Sequence, residues 1–145
     1  MPVPVFAIEE PIIVGQYKAL KIISEQSSTK IIVDESFQRH LQFGDIQDEL
    51  VIWILNVRVS KIGGLLSSLD IVQSANARHI PVIVGAHVGE TSLLTRAALA
   101  IAKVTGDSLL VQEGAFGTYQ LQHDICDEPL MLHNGGVRNA RSGGG

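Results

Sequence analysis

The stretch Ile52-Trp53-Ile54-Leu55-Asn56-Val57-Arg58-Val59-Ser60-Lys61-Ile62-Gly63-Gly64-Leu65 decides how the rest of the chain is read. It opens on a short, nearly continuous apolar run, the pattern of a strand buried on both faces. After two adjacent glycines, Leu65, Leu69 and Val72 recur at helical spacing. On period-two alternation Asn56, Arg58 and Ser60 share one face of the strand, while Val57 and Val59 point toward covering helices. Lys61 then falls in the turn, where a surface or structural role is expected, and Gly63-Gly64 permit the tight passage into the helix. The stretch is one strand-turn-helix unit.

Outward from it, the same unit repeats. The other apolar runs are Val3–Ile8, Lys30–Val33, Pro81–Val84 and Ser108–Val111, and two further helical faces are Tyr17, Leu20, Ile23 and Leu94, Ala98, Ile101. Pro11, Gly15, Gly89 and Gly106 punctuate the units. Residues 36–49 read as a short helix or loop. From Cys126 onward the chain reads as an irregular tail with at most a short strand near Leu130–Leu132. Alternating strands and helices imply parallel pairing through right-handed crossovers, hence an α/β fold. Five units suit either a doubly wound open sheet or part of a (β/α)8 barrel. A complete barrel takes about 250 residues, and this chain has 145.

Composition narrows the function classes. A hydrophobic fraction of 46% excludes general disorder, leaving only the Gly-rich end, residues 141–145, expected to be mobile. The longest strongly apolar stretch, Leu50 to Leu55, is far short of the roughly 20 residues that cross a bilayer. Residues 1–14 hold no Lys or Arg, so no secretory signal is expected there. A single cysteine, Cys126, points to a reducing, cytoplasmic setting. A net charge of −4 argues against nucleic acid as the partner.

The ionisable residues carry the functional signal. The first such group at the end of each apolar run is Glu9, Asp34, Arg58, His87 and Glu113, at intervals of 25, 24, 29 and 26 residues. Parallel α/β architectures build their sites at the C-terminal strand ends, so these five are expected to converge on one bowl. Each alone is better explained by a chain surfacing from the core, whereas five in register are harder to explain that way. Carboxylates there suit a hard cation such as Mg²⁺. There is no G-x-G-x-x-G, P-loop, C-x-x-C or H-E-x-x-H motif, so the usual dinucleotide, nucleotide and zinc signatures are absent. Glu90-Thr91-Ser92 reads as a helix N-terminal cap. The remaining histidines, His40, His79, His123 and His133, are expected at the surface or in packing roles.

Four motifs occur in a characteristic order: Ile8-Glu9-Glu10-Pro11, Val33-Asp34-Glu35-Ser36, Asn56 through Gly64, and Val84-Gly85-Ala86-His87-Val88-Gly89-Glu90-Thr91. Together they resemble the C-terminal barrel domain of the enolase superfamily, in its mandelate racemase and muconate lactonizing enzyme branch. The resemblance runs from about Phe6 to Val137. It implies a partial (β/α)8 (TIM) barrel, strands four to eight, over residues 1–125, with a returning tail over 126–145. It further implies a Mg²⁺ site in which Glu9 and Asp34 are metal ligands, with Asp34 or Glu35 facing the ion. Glu113 matches a carboxylate that holds the substrate carboxylate, and His87 a catalytic histidine. The implied reaction is α-proton abstraction from a small-molecule carboxylate, leading to racemisation, epimerisation, cycloisomerisation or dehydration.

Two departures stand out. Arg58 occupies a position where the two branches carry a catalytic Lys or Asp. A guanidinium stays protonated, so Arg58 is expected to hold a carboxylate or stabilise an oxyanion. Its charge would also favour a neutral His87 imidazole, able to accept a proton. Only Met1-Pro2-Val3-Pro4 stands before the first matched strand, so the third metal carboxylate is expected to be missing from this chain. The isolated chain is therefore expected to bind Mg²⁺ poorly and to be inactive. Its open strand edges should pair with a second copy or with the missing barrel half. Two other readings are a non-catalytic interaction module that self-associates and a receiver-type domain with Asp34 as acceptor, which lacks the accompanying acid pair, Ser/Thr and Lys.

Overall fold

A computed structural model describes residues 4–46, 52–115, 117–134 and 136–139. Val3, residues 47–51 and the Gly-rich end, named above, lie outside the described residues. Five strands, β1 (Ala7–Glu9), β2 (Lys30–Val33), β3 (Trp53–Val57), β4 (Val82–Val84) and β5 (Leu109–Gln112), form one sheet. Their order is sequential and every pairing is parallel. A doubly wound sheet reverses its strand order at a switch point. This one does not, and its order is that of consecutive barrel strands. The architecture is a partial (β/α)8 barrel.

The crossovers are α1 (Tyr17–Ser27), α2 (Phe43–Ile46) after a 3₁₀ turn at His40–Gln42, α3 (Val59–Ile62) with α4 (Leu65–Ala77), and α5 (Ser92–Thr105). Strand β3 is buried at every position, with α3 and α4 following it. The core gathers Leu20 from α1, Ile31 and Val33 from β2, Leu55 and Val57 from β3, Ile71 and Val72 from α4, and Ala98 and Ile101 from α5. At about 1.5–3 kcal/mol per fully buried aliphatic side chain, this two-layer core is the main source of stability. The edges are less covered: Leu110 and Val111 on β5 and Val5 and Phe6 beside β1 are exposed.

Three local readings change. The run Ile52–Val59 is a strand only over Trp53–Val57, because Arg58 turns the chain and Val59 begins α3. Two glycines in left-handed backbone follow, Gly63 at φ 97° and Gly64 at φ 105°, stopping α3 and starting α4. L-residues are disfavoured there. The inner face of α4 is Ser68, Ile71, Val72 and Ala75, whereas Leu65, in the first turn, is exposed. The tail is more ordered than its composition suggests. It holds an antiparallel hairpin of β6 (Leu130–His133) with β7 (Gly136–Asn139), and α6 (Gly117–Gln120) stands before it.

The cap of α5 also differs from the expected one. Thr91 is the N-cap residue but makes no side-chain cap bond. Instead Asp124, just before the tail, accepts from the Ser92 amide at 2.8 Å and the Ser92 hydroxyl at 2.6 Å. Ser92 Oγ in turn accepts from the Leu130 amide, so one carboxylate both caps the helix and ties down the tail.

Candidate active site

Because the five strands are parallel, their C-terminal ends lie on one side of the sheet. Glu9 closes β1, Asp34 follows β2, Arg58 follows β3, His87 lies in the loop after β4, and Glu113 follows β5. Hydrogen bonds link neighbouring strand ends across this side: Asn56 on β3 reaches Glu9, Arg58 reaches both Asp34 and His87, and the Ala86 amide after β4 reaches Glu113. The five groups thus lie along one mouth of the partial barrel.

Arg58 is the hub. Its Nε donates to Asp34 Oδ1 at 2.9 Å and its Nη2 to Asp34 Oδ2, a bidentate fork. The same Nη2 donates to Glu35 Oε1, and Nη1 lies 3.2 Å from His87 Nδ1. A guanidinium only donates, so Nδ1 accepts and the Nε2 atom of a neutral His87 carries the proton. Lys61 joins from α3, three residues beyond Arg58 and thus on the same helical face. Its Nζ bonds Asp34 Oδ1, the Asp34 carbonyl at 2.7 Å and the Asn56 carbonyl at 2.9 Å. The side chains are mostly shielded, with 6% of Asp34, 13% of Arg58 and 8% of Lys61 accessible, so water screens these pairs weakly.

The flanks are set by backbone contacts. Glu10 Oε1 accepts the amides of Asp34 and Ser36, both at 2.8 Å, holding the turn that presents Asp34. Glu113 Oε2 accepts the Ala86 amide at 3.1 Å. Glu90, which was read as a helix cap, is buried and folds back so that Oε1 accepts the His87 amide at 3.0 Å. Glu9 accepts from Asn56 Nδ2 at 3.2 Å. Gly85 makes room for this arrangement, since a Cβ there would lie 2.1 Å from Asn56 Oδ1 and 3.0 Å from Arg58 Cγ.

The charges respond accordingly. Burial raises the Glu9 pKa, helped by the Asp34 and Glu113 charges and opposed by the Asn56 hydrogen bond. Burial likewise raises Glu90, despite its bond to the His87 amide. At Glu35 the Arg58 hydrogen bond and charge outweigh burial and hold the carboxyl below its ordinary range. Burial pulls Lys61 down, while at Arg58 the Asp34 and Glu35 partners prevail over burial and raise it.

The sequence nominated Glu9, Asp34, Arg58, His87 and Glu113. The structure adds Lys61, Glu10, Asn56 and Glu90 to their network, together with Glu35, the alternative to Asp34 that the resemblance offered. Lys61 lies in α3 rather than in the turn, and its ammonium is buried against Asp34, so of the two roles expected for it the structural one fits and the surface one does not. The available signal was its i+3 spacing from Arg58 just before a double glycine. Among the described residues no group of three acid, His or Cys side chains is arranged to hold a metal ion. Both Asp34 oxygens are already bound by cations, so the donors present do not fit Mg²⁺. A cleft of about 680 Å³ is lined by Pro4, Phe6, Thr29, Lys30 and Ile52 at the opposite, N-terminal ends of the strands.

A sequential parallel arc with charged groups at its C-terminal ends is the setting in which family likeness becomes decisive. A family model described as enolase C-terminal domain-like matches residues 2–145. The chain belongs to this family. Within it, this enolase C-terminal domain-like chain is 24% identical over 124 residues to the chloromuconate cycloisomerase of Cupriavidus pinatubonensis, covering 86% of this chain and 33% of that protein. The dipeptide epimerase of Cytophaga hutchinsonii, solved with Mg and the dipeptide D-Ala-L-Val, superposes with a TM-score of 0.78 at 22% identity, covering 92% of this chain and 35% of that one. The L-Ala-D/L-Glu epimerase of Bacillus subtilis also gives 0.78, at 20% identity, covering 93% of this chain and 37% of its own. The chain thus spans about a third of the length of these relatives. The expected superfamily and its mandelate racemase and muconate lactonizing branch are borne out, as is the barrel fold. Among the described residues no helix is long and apolar enough to cross a membrane.

Proposed function

We propose that this chain is the C-terminal barrel portion of a longer isomerase or lyase that abstracts the α-proton of a small-molecule carboxylate. The observation that carries the reading is the bridge formed by Arg58, which spans Asp34 and Glu35 on one side and His87 on the other at the barrel mouth. Relatives that act on dipeptides and on a chloromuconate support it. Arg58 would receive the substrate carboxylate or the developing oxyanion through charge-assisted hydrogen bonds. As it did so, His87 Nδ1 would lose its Arg58 donor and regain the lone pair that takes the proton. Glu113, positioned by the Ala86 amide, would orient the substrate from the far side. Glu9 and Asp34 are the candidate holders of the Mg²⁺ that the resemblance implies. The fit is poor here, and no step depends on the ion.

The test is α-proton exchange with solvent deuterium, followed by NMR across small carboxylates that include dipeptides. A barrel completed with the preceding strands should exchange one substrate class, and His87→Asn should abolish that exchange. Exchange unaffected by His87→Asn removes His87 as the base. The 145-residue chain alone is expected to be inactive, and robust turnover by it would overturn that expectation.

A second reading, that the chain self-associates without catalysing, is favoured by the exposed edges. Val5 and Phe6 are 59% and 64% exposed beside β1, and Val111 is 53% exposed on β5. Unpaired apolar edges are templates for further strands. A monomer in sedimentation velocity would exclude it.

A further inference from the structure

The donor set at the barrel mouth carries a conclusion independent of the reaction proposed above. A divalent cation bound by carboxylates needs oxygen lone pairs that face one point and carry uncompensated negative charge. Asp34 is the most central carboxylate of the bowl, and neither of its oxygens meets that need. Oδ1 accepts from Arg58 Nε and Lys61 Nζ, and Oδ2 accepts from Arg58 Nη2. Glu35, the other acid of the pair, is held by the same guanidinium. Two acids are thus matched by two cations. Of the rest, Glu113 is bonded to the Ala86 amide and Glu9 to Asn56. The cations are themselves fixed from behind, Lys61 by the Asp34 and Asn56 carbonyls and Arg58 by its place at the start of α3.

We infer that Arg58 and Lys61 act here as built-in counter-ions in place of a bound divalent cation, and that Arg58 is the group that keeps Mg²⁺ off Asp34 and Glu35. Shielding strengthens the effect. A Mg²⁺ ion would have to give up tightly held waters and expel a guanidinium from a bidentate bond largely removed from solvent. Removing Arg58 reverses the balance, leaving Asp34, Glu35 and Glu9 against the single charge of Lys61.

The test uses the full 145-residue chain with MgCl₂ or MnCl₂ as the only ligand. Calorimetric titration should show no saturable binding for the wild type up to about 10 mM, whereas Arg58→Gln should bind at least about tenfold more tightly. Arg58→Lys, which keeps the charge, should stay close to wild type, and Arg58→Gln with Glu9→Gln should lose part of the gain. Sub-millimolar binding by the wild type would overturn the inference. So would an Arg58→Gln protein that folds, by its amide spectrum, yet gains no affinity. Should Arg58→Gln fail to fold, Mn²⁺ broadening of wild-type amides decides. Unbroadened Glu9, Asp34 and Glu35 signals at about 1 mM support the inference, and selective broadening there refutes it. None of these readouts involves turnover, so they separate this inference from the fate of the α-proton reading.

Discussion

Gly85→Ala is the sharpest test of how this bowl is packed. The added Cβ would sit 2.1 Å from Asn56 Oδ1 and 3.0 Å from both Asn56 Cγ and Arg58 Cγ. An ordinary C···O contact is about 3.3 Å or longer, so the amide has to retreat by roughly 1 Å. That retreat is blocked, because Asn56 is buried within β3 and its Nδ2 donates to Glu9. Overpacking of this kind costs about 1–3 kcal/mol, and a lost hydrogen bond about 1 kcal/mol more. The sum is about 2–4 kcal/mol, which for a domain near this size lowers Tm by roughly 6–14 °C. Gly44→Ala is the matched control, since nothing lies within 4 Å of a Cβ placed there. Differential scanning calorimetry of the two variants gives the comparison. A Gly85→Ala protein melting within about 2 °C of wild type would refute the proposed close approach of β3 and β4 side chains.

Three further outcomes are expected. Lys61→Met removes one of the two cations on buried Asp34 and strips the Asp34 and Asn56 carbonyls of a donor, costing about 2–4 kcal/mol in urea unfolding; a loss below about 0.5 kcal/mol would place Lys61 in solvent after all. Burial raises the Glu90 pKa above 4.5, so its favourable contribution is complete below that pH and drains away as pH rises through the folded-state value. Glu90→Gln, which keeps an acceptor for the His87 amide, should therefore melt above wild type at pH 7, with the gap closing toward pH 4.5; a gap independent of pH contradicts the burial of a titrating carboxyl. Asp124→Ala removes the cap of α5 and the tie to the tail, costing about 0.5–2 kcal/mol. Hydrogen exchange should quicken in the β6–β7 hairpin and the first turn of α5 and stay unchanged in β2 and β3.

The fold was largely legible because its signals are local. Near-continuous apolar runs such as Lys30–Val33, separated by helical faces such as Tyr17, Leu20 and Ile23, can pack only as covered parallel strands. The tail was less legible. Only the short apolar run Leu130–Leu132 hinted at the hairpin of Leu130–His133 with Gly136–Asn139, and the anchor beside it, Asp124, acts on Ser92, 32 residues away. Lys61 was misplaced for a related reason. Periodicity placed Ser60 on the strand, whereas the chain turns at Arg58, and that turn swings Lys61 back onto Asp34.

By itself, then, the sequence determined that five strands alternate with helices, though not their exact bounds, and that Glu9, Asp34, Arg58, His87 and Glu113 stand at or just beyond their ends, since both follow from the backbone period and the position of the first charge after an apolar run. Only the tertiary structure decided how those charges pair. Asp34 could have faced Glu9, a metal or solvent. That Arg58 and Lys61 claim it depends on the curvature of the sheet, on the turn after β3 and on the space left by Gly85. These are distances between segments 24 or more residues apart, and the linear order of residues does not encode them one position at a time.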